Sequence, residues 1–220
     1  MKMGPREPPP SRYRMPDPCS ALPNGLLAAG GDLEPGTVLE AYRRGIFPWP
    51  DPDGRLLWWS PDPRAVLPVD RFHQSRSSRR TRRRRGFAIS IDHACAAVMA
   101  GCAERAEGTW ITPSMTRAYL ALAALGWVHS VEVWDGEALA GGVYGVAIGG
   151  FFAAESMFHR RTDASKIALG ALVEHVAARG FTLLDVQFLT DHLASLGATA
   201  IAREEYLRAL EAAIAMEARF

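Results

Sequence analysis

Two polar residues, Asp185 and Gln187, stand two positions apart in the otherwise apolar run 181–188, whose composition predicts a strand. Because successive side chains of a strand point to opposite faces, these two lie on the same face. An acid and an amide that converge at a strand end can hold an amine and remove its proton. The alternative is a buried, hydrogen-bonded Asp–Gln pair with a structural role.

A third residue that could take part in chemistry is Glu155, a carboxylate inside the apolar strand predicted at 150–157. Burying an unpaired charge is costly or forces a change in pKa. Glu155 therefore either has a partner in the protein or binds a cationic ligand. Two acids in one cleft suit a substrate with two positive centres, such as an N-terminal α-ammonium beside a lysine or arginine side chain.

Strand parity places Phe152 and Leu184 on the side opposite Glu155 and Asp185 if both strands are regular. Apolar residues and acids can line one pocket only if the strands splay or bulge. The sequence therefore predicts an irregularity in this part of the sheet.

Eight arginines and no acidic residue lie between positions 71 and 85, while the rest of the chain is net acidic. Like charges at this density repel one another, so the segment favours a polyanionic partner. Phosphate is the natural counter-charge, and nucleic acid is its commonest source. A solvated charged segment without a specific partner is the alternative, and the composition leaves both helix and loop open.

The elements that must position these residues follow from the apolar periodicity, the capping residues and the turn signals. They are strand 88–92, helix 94–105, helix 113–126, strands 128–134 and 138–148 joined at Asp135-Gly136, strand 150–157, helix 164–178, strand 181–188, and helices 190–196 and 203–218. Antiparallel strands, then a helix, then a further strand is the order of the GCN5-related N-acyltransferase-like fold. The predicted fold class is therefore α/β (α+β) of this type.

The chain divides into three predicted segments. Residues 1–20, rich in proline and arginine, are expected to be a flexible lead-in without the apolar region of a secretory signal. Residues 21–68, dense in proline, glycine and tryptophan, are predicted to form a small N-terminal α/β domain, and residues 69–220 the catalytic domain that carries the basic run 71–85.

Three scattered cysteines, Cys19, Cys95 and Cys102, suggest neither a disulfide framework nor a metal site. They indicate a reducing, cytoplasmic setting. No window of the sequence has the unbroken apolar length of a membrane helix.

The loop Arg/Gln-x-x-Gly-x-Gly/Ala, by which acyl-CoA acetyltransferases hold pyrophosphate, is absent between the predicted strand 150–157 and the helix 164–178 that follows it. If the fold is of that type, this absence indicates an acyl donor other than a CoA thioester. A nucleic-acid patch, an apolar pocket and a paired-acid amine site together point to an aminoacyl ester on tRNA. Two other classes stay open: an acyl-CoA-dependent N-acyltransferase and a non-enzymatic RNA-binding module.

A resemblance to a known family runs through the chain from about residue 22 to residue 207. The matching stretches are NGLLAAGGD at 24–32, AYRRGIFPW at 41–49, LWWSPDPR at 57–64, GTWI at 108–111, AY at 118–119, HSVE at 129–132, GGVYG at 141–145, ESMF at 155–158, ASK at 164–166, LDVQ at 184–187 and HLASLGA at 192–198. In these stretches the sequence resembles the bacterial leucyl/phenylalanyl-tRNA–protein transferases. Val186 departs from the pattern, since the family frequently has a cysteine there.

The resemblance implies an activity, namely transfer of Leu, Phe or Met from its tRNA to the α-amine of a protein that begins with Arg or Lys. The product would carry an N-degron, which an adaptor delivers to a Clp protease. The resemblance also implies that the enzyme uses no metal or organic cofactor, binds no membrane, and works as a cytoplasmic monomer.

Residue roles carried over from the family apply to matching positions. Asp185 and Gln187 would orient and deprotonate the acceptor amine, and Glu155 would lie near the acceptor's basic end. Trp49 would contact the terminal adenosine. The residues expected to build the apolar side-chain pocket are Trp110, Tyr119, Val143, Phe152 and Leu184, and further substrate contacts are expected from Ser156, Met157 and Phe158. The residues expected to meet the tRNA backbone are Arg76, Arg79, Arg80, Arg83 and Arg84.

Overall fold

The computed structural model describes residues 4–74, 76–104 and 108–220. Its helices are a short 3-10 helix Pro18–Ser20, α1 Pro35–Arg43, α2 Arg76–Arg85, α3 Cys95–Ala103, α4 Pro113–Leu125, α5 Ala164–Ala178, α6 Asp191–Ser195 and α7 Arg203–Ile214. Its strands are β1 Leu26–Ala29, β2 Phe47–Pro48, β3 Leu57–Trp59, β4 Arg64–Val66, β5 Ala88–Ile91, β6 Val128–Asp135, β7 Ala138–Ile148, β8 Phe151–His159, β9 Leu183–Gln187 and β10 Thr199–Ile201.

Two sheets organise the described residues. A small sheet has the order β1-β3-β2, and a seven-stranded sheet has the order β10-β4-β9-β8-β7-β6-β5. Strands β5 to β8 form an antiparallel meander, α5 follows, and β9 then returns parallel to β8. The predicted order of meander, helix and further strand is confirmed, and so is the mixed α/β class.

Helix α4 shows why the local sequence folds as predicted. The hydroxyl of Thr112 accepts a hydrogen bond from the Met115 N–H at 3.2 Å, and Pro113 occupies the first turn. Gly126 ends the helix in the left-handed conformation, with φ of 86°.

The boundaries of several elements differ from the sequence prediction. Helix α3 ends at Ala103, and the predicted terminus at Arg105 lies outside the described residues. Helix α7 ends at Ile214 rather than near residue 218. Strand β10, which pairs with β4 at the edge of the large sheet, was not predicted, because three residues carry too little periodicity to be recognised.

The core consists of two apolar clusters, and alternate residues of β8 contribute to each. Phe151 and Ala153 belong to the first cluster, which also includes residues of α1, α3, α4 and α7. Phe152 belongs to the second cluster, which is covered by α5. The two clusters therefore lie on opposite faces of the sheet.

The segment predicted as a separate N-terminal unit is tied closely to the rest of the chain. Strand β4 lies in the large sheet between β10 and β9, and Tyr42 of α1 shares the first core cluster with Tyr119 of α4. The segment predicted as a flexible lead-in also makes specific contacts. The Arg6 N–H donates to the Leu125 carbonyl at 2.8 Å, and the Trp127 indole donates to the Arg6 carbonyl at 2.8 Å.

The sequence left open whether the basic run 71–85 is a helix or a loop. In the structure, Arg76–Arg85 form helix α2. On its inner side Ser78 is fully buried, and the Thr81 hydroxyl donates to Asp163 Oδ2 at 2.9 Å. The Thr81 hydrogen bond and the buried Ser78 side place the helix against the start of α5. Within the described part of the chain, no helix combines the length and apolar character that crossing a membrane requires.

Candidate active site

The site is built where the parallel strands β8 and β9 separate. Their ladder has three residue pairs, Phe151 with Leu183, Phe152 with Leu184, and Ala153 with Asp185. Beyond Asp185, β9 continues against β4, while β8 continues against β7. An opening therefore forms between the carboxyl ends of two neighbouring strands, which is where α/β folds commonly bind ligands.

Glu155 is the extra residue of a β-bulge at this opening. Tyr144 pairs with Ser156 and Gly145 pairs with Ala154, so Glu155 has no opposite residue on β7. A bulge bends a strand and redirects its side chains. The irregularity that the strand parity predicted is confirmed.

The five residues predicted to line one apolar pocket lie in two places. Trp110 and Tyr119 belong to the first core cluster or pack against it. Val143, Phe152 and Leu184 are buried in the second cluster, on the α5 side of the sheet. The structure therefore does not bring these five side chains together.

Asp185 is fully buried, and its partner is an arginine that the sequence reasoning missed. Arg64 Nε donates to Asp185 Oδ1 at 2.9 Å and Arg64 Nη2 donates to Oδ2 at 2.6 Å. The Tyr206 hydroxyl donates to Oδ2 at 3.1 Å, and the Gln187 N–H donates to Oδ1 at 2.9 Å. The carboxylate thus accepts four hydrogen bonds from the protein. Arg64 lies 121 residues from Asp185 along the chain, and no local signal links them.

Arg64 is itself enclosed, with 1% of its side chain exposed. Its guanidinium carbon lies 4.5 Å from the ring centroids of both Phe47 and Tyr206. Burial lowers the pKa of Arg64, but the charge and hydrogen bond of Asp185 together with the nearby hydroxyls of Tyr206 and Tyr42 outweigh burial, so the pKa is raised above its ordinary value. The guanidinium is therefore held in its charged form.

Glu155 has a different environment, because it is half-buried at the opening. The Tyr119 hydroxyl donates to Glu155 Oε2 at 3.2 Å, and the hydroxyls of Tyr119 and Tyr42 lie 2.5 Å apart. Burial and the charge of Asp185 raise the pKa of Glu155 to about 8, against the lowering effects of the two tyrosine hydroxyls and Arg64. Glu155 can therefore gain or lose a proton near neutral pH.

The Gln187 side chain lies between the two acids, on a backbone with φ of 58°. In one amide orientation Nε2 donates to Glu155 Oε1 at 3.3 Å. In the other it donates to the carbonyls of Ala154 and Val186 at 3.0 and 3.1 Å, and the amide oxygen then faces Glu155. We favour the second orientation, because it satisfies both amide hydrogens at good distances. The amide oxygen then accepts a hydrogen bond from Glu155 when that carboxyl group is protonated, and both groups offer an acceptor to a cationic donor when Glu155 is ionised.

Aromatic side chains line the neighbouring surface. The rings of Trp49 and Trp110 stack with centroids 4.7 Å apart, and Phe188 meets Trp49 edge-on at 5.8 Å. The Trp59 indole donates to the Trp49 carbonyl at 2.9 Å, which fixes the loop of Trp49. Trp49 and Trp110 are both half-buried, so part of each ring remains accessible.

A cavity of about 670 Å³ adjoins the carboxyl end of β8. Met157, Phe158, Lys166 and His192 contribute to its wall. Burial and the nearby Lys166 lower the pKa of His192. Ser156, the remaining predicted contact residue on β8, is half-buried beside Glu155.

The arginines predicted to contact tRNA lie on the outer side of α2. All five are exposed: Arg76, Arg79, Arg80, Arg83 and Arg84. Arg76, Arg80, Arg83 and Arg84 follow the i, i+4, i+7, i+8 spacing of one helix face. Helix formation therefore concentrates the positive charge on one surface.

Fold and site together define a class: a mixed α/β protein with an acid-lined opening between parallel strands and a strongly basic helix on its surface. The family described as leucyl/phenylalanyl-tRNA protein transferase matches residues 66–211, and the N-terminal domain of the same family matches residues 31–62. The chain therefore belongs to the leucyl/phenylalanyl-tRNA protein transferase family.

Individual proteins that are similar in sequence to this chain are named leucyl/phenylalanyl-tRNA–protein transferases. A leucyl/phenylalanyl-tRNA–protein transferase from Edwardsiella ictaluri is 55% identical over 198 residues, which cover 89% of this chain and 82% of the relative. Relatives of that description from Shewanella baltica and from an Enterobacter species are 52% and 51% identical, and the matches cover 84% and 83% of their lengths.

Solved structures are more distant. A GCN5-related N-acetyltransferase from Kribbella flavida aligns with a TM-score of 0.41 and 12% identity, over 76% of this chain and 61% of the other. The C-terminal domain of a lysylphosphatidylglycerol synthetase from Agrobacterium fabrum, itself described as putative, aligns with a TM-score of 0.43 and 9% identity, over 74% of this chain and 55% of the other.

Proposed function

We propose that this protein transfers Leu, Phe or Met from aminoacyl-tRNA to the α-amine of proteins and peptides that begin with Arg or Lys. The observation that carries the proposal is the position of Glu155 in a bulge at the β8–β9 opening, half-buried and facing Gln187. A carboxylate and an amide oxygen at that point provide acceptors for a cationic chain end. The descriptions of the family and of the relatives support the donor and the acceptor classes.

Binding of the donor would involve two surfaces. The exposed arginines of α2 supply charge for the phosphate backbone of the tRNA. The stacked pair of Trp49 and Trp110 offers a half-exposed aromatic surface for the terminal adenosine. The aminoacyl ester would then reach the opening between β8 and β9, beside the apolar residues Met157 and Phe158.

Catalysis would rest first on positioning, because an aminoacyl ester already reacts with amines. Holding two reactants in register can contribute roughly 7–11 kcal/mol to lowering a barrier. Removal of the amine's proton can add about 10²–10⁴-fold to the rate. Asp185, which Arg64 holds in place, would fix the backbone of Gln187 through the hydrogen bond at 2.9 Å.

The setting of the activity is also part of the proposal. The enzyme would act as a cytoplasmic monomer without a metal or organic cofactor, and its products would carry an N-degron for degradation by a Clp protease. Among the described residues, no group of three or more histidine, cysteine or acidic side chains is placed to hold a metal ion.

The test is incubation of the protein with Phe-tRNA and a peptide whose first residue is arginine, followed by mass spectrometry. The proposal expects the peptide to gain one phenylalanine at its N-terminus. An acyl-CoA-dependent N-acyltransferase would instead modify the peptide with acetyl-CoA. A non-enzymatic RNA-binding module would bind charged and uncharged tRNA equally and transfer nothing.

A further inference from the structure

We propose that Glu155 takes the proton from the acceptor's α-ammonium, and that Asp185 acts as a positioning residue with no direct role in proton transfer. This inference rests on the proposed function, since it assigns a role within the same aminoacyl transfer. It differs from the expectation that Asp185 and Gln187 deprotonate the amine.

Asp185 is enclosed by the protein on all sides. Its side chain has 0% exposure, so no ligand can contact it without movement of the surrounding side chains. Its two oxygens already accept four hydrogen bonds, from Arg64, Tyr206 and the Gln187 backbone. Both oxygens are thus occupied by groups of the protein, and neither is available to an incoming ammonium.

Glu155, unlike Asp185, is accessible at the opening between β8 and β9. The bulge puts this side chain at the opening, where it is half-buried and where the β8–β9 ladder has ended. Tyr119 binds only Oε2, and Oε1 faces the Gln187 side chain. An ammonium between Oε1 and the Gln187 amide oxygen would donate one hydrogen bond to each.

The surroundings of Glu155 also suit it to exchange a proton with an amine. The groups that face Glu155 are Tyr42 of α1, Tyr119 of α4, Arg64 of β4 and Asp185 of β9. Burial and the negative charge of Asp185 raise the pKa of Glu155 to about 8. An unperturbed α-amino group has a pKa of about 7.7–8.0. Proton transfer between the two groups is therefore close to balanced, which is the condition for an efficient general base.

The α-ammonium gives one proton to Glu155 Oε1, and the neutral amine attacks the ester carbonyl carbon, so that an N–C bond forms. The resulting intermediate loses the ester C–O bond, and its second amine proton goes to the departing ribose oxygen. The products are an amide, a tRNA with a free hydroxyl group, and a protonated Glu155 that returns its proton to solvent.

The main experiment measures single-turnover transfer from Phe-tRNA at saturating Arg-peptide, for wild type and Glu155→Gln. Glutamine keeps the size and hydrogen-bonding capacity of the side chain but cannot accept a proton at neutral pH. We expect the rate at saturation to fall by about 10²–10⁴-fold, with intact tRNA binding. The matched control is Glu137→Gln in the exposed β6–β7 turn, which should leave the rate unchanged.

A second acceptor separates proton transfer from charge recognition. An α-hydrazino analogue of the Arg-peptide presents a much less basic nucleophile, which is largely unprotonated at pH 7 and needs no base. We expect the defect of Glu155→Gln to shrink at least tenfold with this acceptor. A defect that is equally large with both acceptors, or one confined to KM, would overturn the inference and would leave Glu155 as a binding group.

The transfer experiment distinguishes an error in the proposed function from an error in the role assigned to Glu155. If wild type transfers nothing to the Arg-peptide, the proposed function itself is wrong. If wild type transfers phenylalanine and Glu155→Gln keeps the wild-type rate, the function stands and the assignment of the base to Glu155 is wrong.

Discussion

Arg64 and Asp185 form a two-point ion pair that is 1% and 0% exposed, with donor–acceptor distances of 2.9 and 2.6 Å. The pair joins β4 to β9, and the same guanidinium donates to the Gly45 carbonyl at 3.1 Å. Arg64 thus connects the N-terminal part of the chain to the strand that carries Gln187. We regard this pair as the element that fixes the geometry of the site.

Arg64→Met should destabilise the protein strongly, because it leaves the Asp185 carboxylate buried without a counter-charge. Breaking a buried pair in this way costs about 3–5 kcal/mol in the free energy of unfolding. Urea denaturation measures the change. Arg55→Met, at a side chain with 76% exposure, is the control and should change stability by no more than about 0.5 kcal/mol. A similar small effect for Arg64→Met would show that the pair does not hold the site together.

Tyr119→Phe should shift the pH dependence of transfer to higher pH. The Tyr119 hydroxyl donates to Glu155 and stabilises its ionised form, so its loss raises the pKa of Glu155 above about 8. The ionised form is the one that accepts a proton, and less of it would be present at pH 7. Rates measured between pH 6 and 9.5 test this, with exposed Tyr13→Phe as the control. A midpoint that is unchanged or moves to lower pH would contradict the prediction.

Replacing Arg80, Arg83 and Arg84 by glutamine in one triple variant should weaken tRNA binding, mainly because three positive charges are lost. Each lost phosphate contact should reduce the slope of log K against log salt by roughly 0.7–0.9. Filter binding or fluorescence anisotropy at several salt concentrations gives the slope. Arg208→Gln on α7, at an exposed arginine paired with Glu204, provides a control outside the basic helix. An unchanged slope in the triple variant would remove α2 from the tRNA interface.

Trp49→Ala should weaken binding of the donor and leave the acceptor's KM nearly constant. Removing one base-stacking aromatic ring costs about 1–3 kcal/mol. Trp49→Phe, which keeps a smaller ring against Trp110, should lose less. Binding of phenylalanyl-adenosine by calorimetry isolates this contact from the arginines of α2. Equal affinities for the wild type and both variants would show that the terminal adenosine binds elsewhere.

The sequence revealed the parts of this fold that depend on local signals. The alternation in β6, β7 and β8, the Asp135-Gly136 turn, and the Thr112–Gly126 caps each act within a few residues. An irregularity near Glu155 was also predicted from strand parity, and the bulge is present, but it does not bring Phe152 and Leu184 to the side of the acids as that prediction assumed.

The rest depended on contacts that only the tertiary structure brings together. Arg64 stands in a short strand within a segment dense in proline, and nothing near it in sequence indicates that it binds Asp185, 121 residues later. The sequence could not decide whether the basic run forms a helix, because the helix is held in place by a hydrogen bond from Thr81 to Asp163, which is distant in sequence. The pocket residues were assigned to one site, although β8 sends Phe152 and Glu155 to different sides of the sheet.

The most direct test of the whole account is a competition reaction with wild-type protein, Phe-tRNA and three peptides of equal length, read by mass spectrometry. One peptide begins with a free arginine, one with an N-acetylated arginine, and one with alanine. The account predicts that only the free-arginine peptide gains a phenylalanine, because Glu155 must accept a proton from a free α-amine and the proposed function restricts the acceptor to Arg or Lys. Transfer to the acetylated peptide, or equal transfer to the alanine peptide, would contradict it.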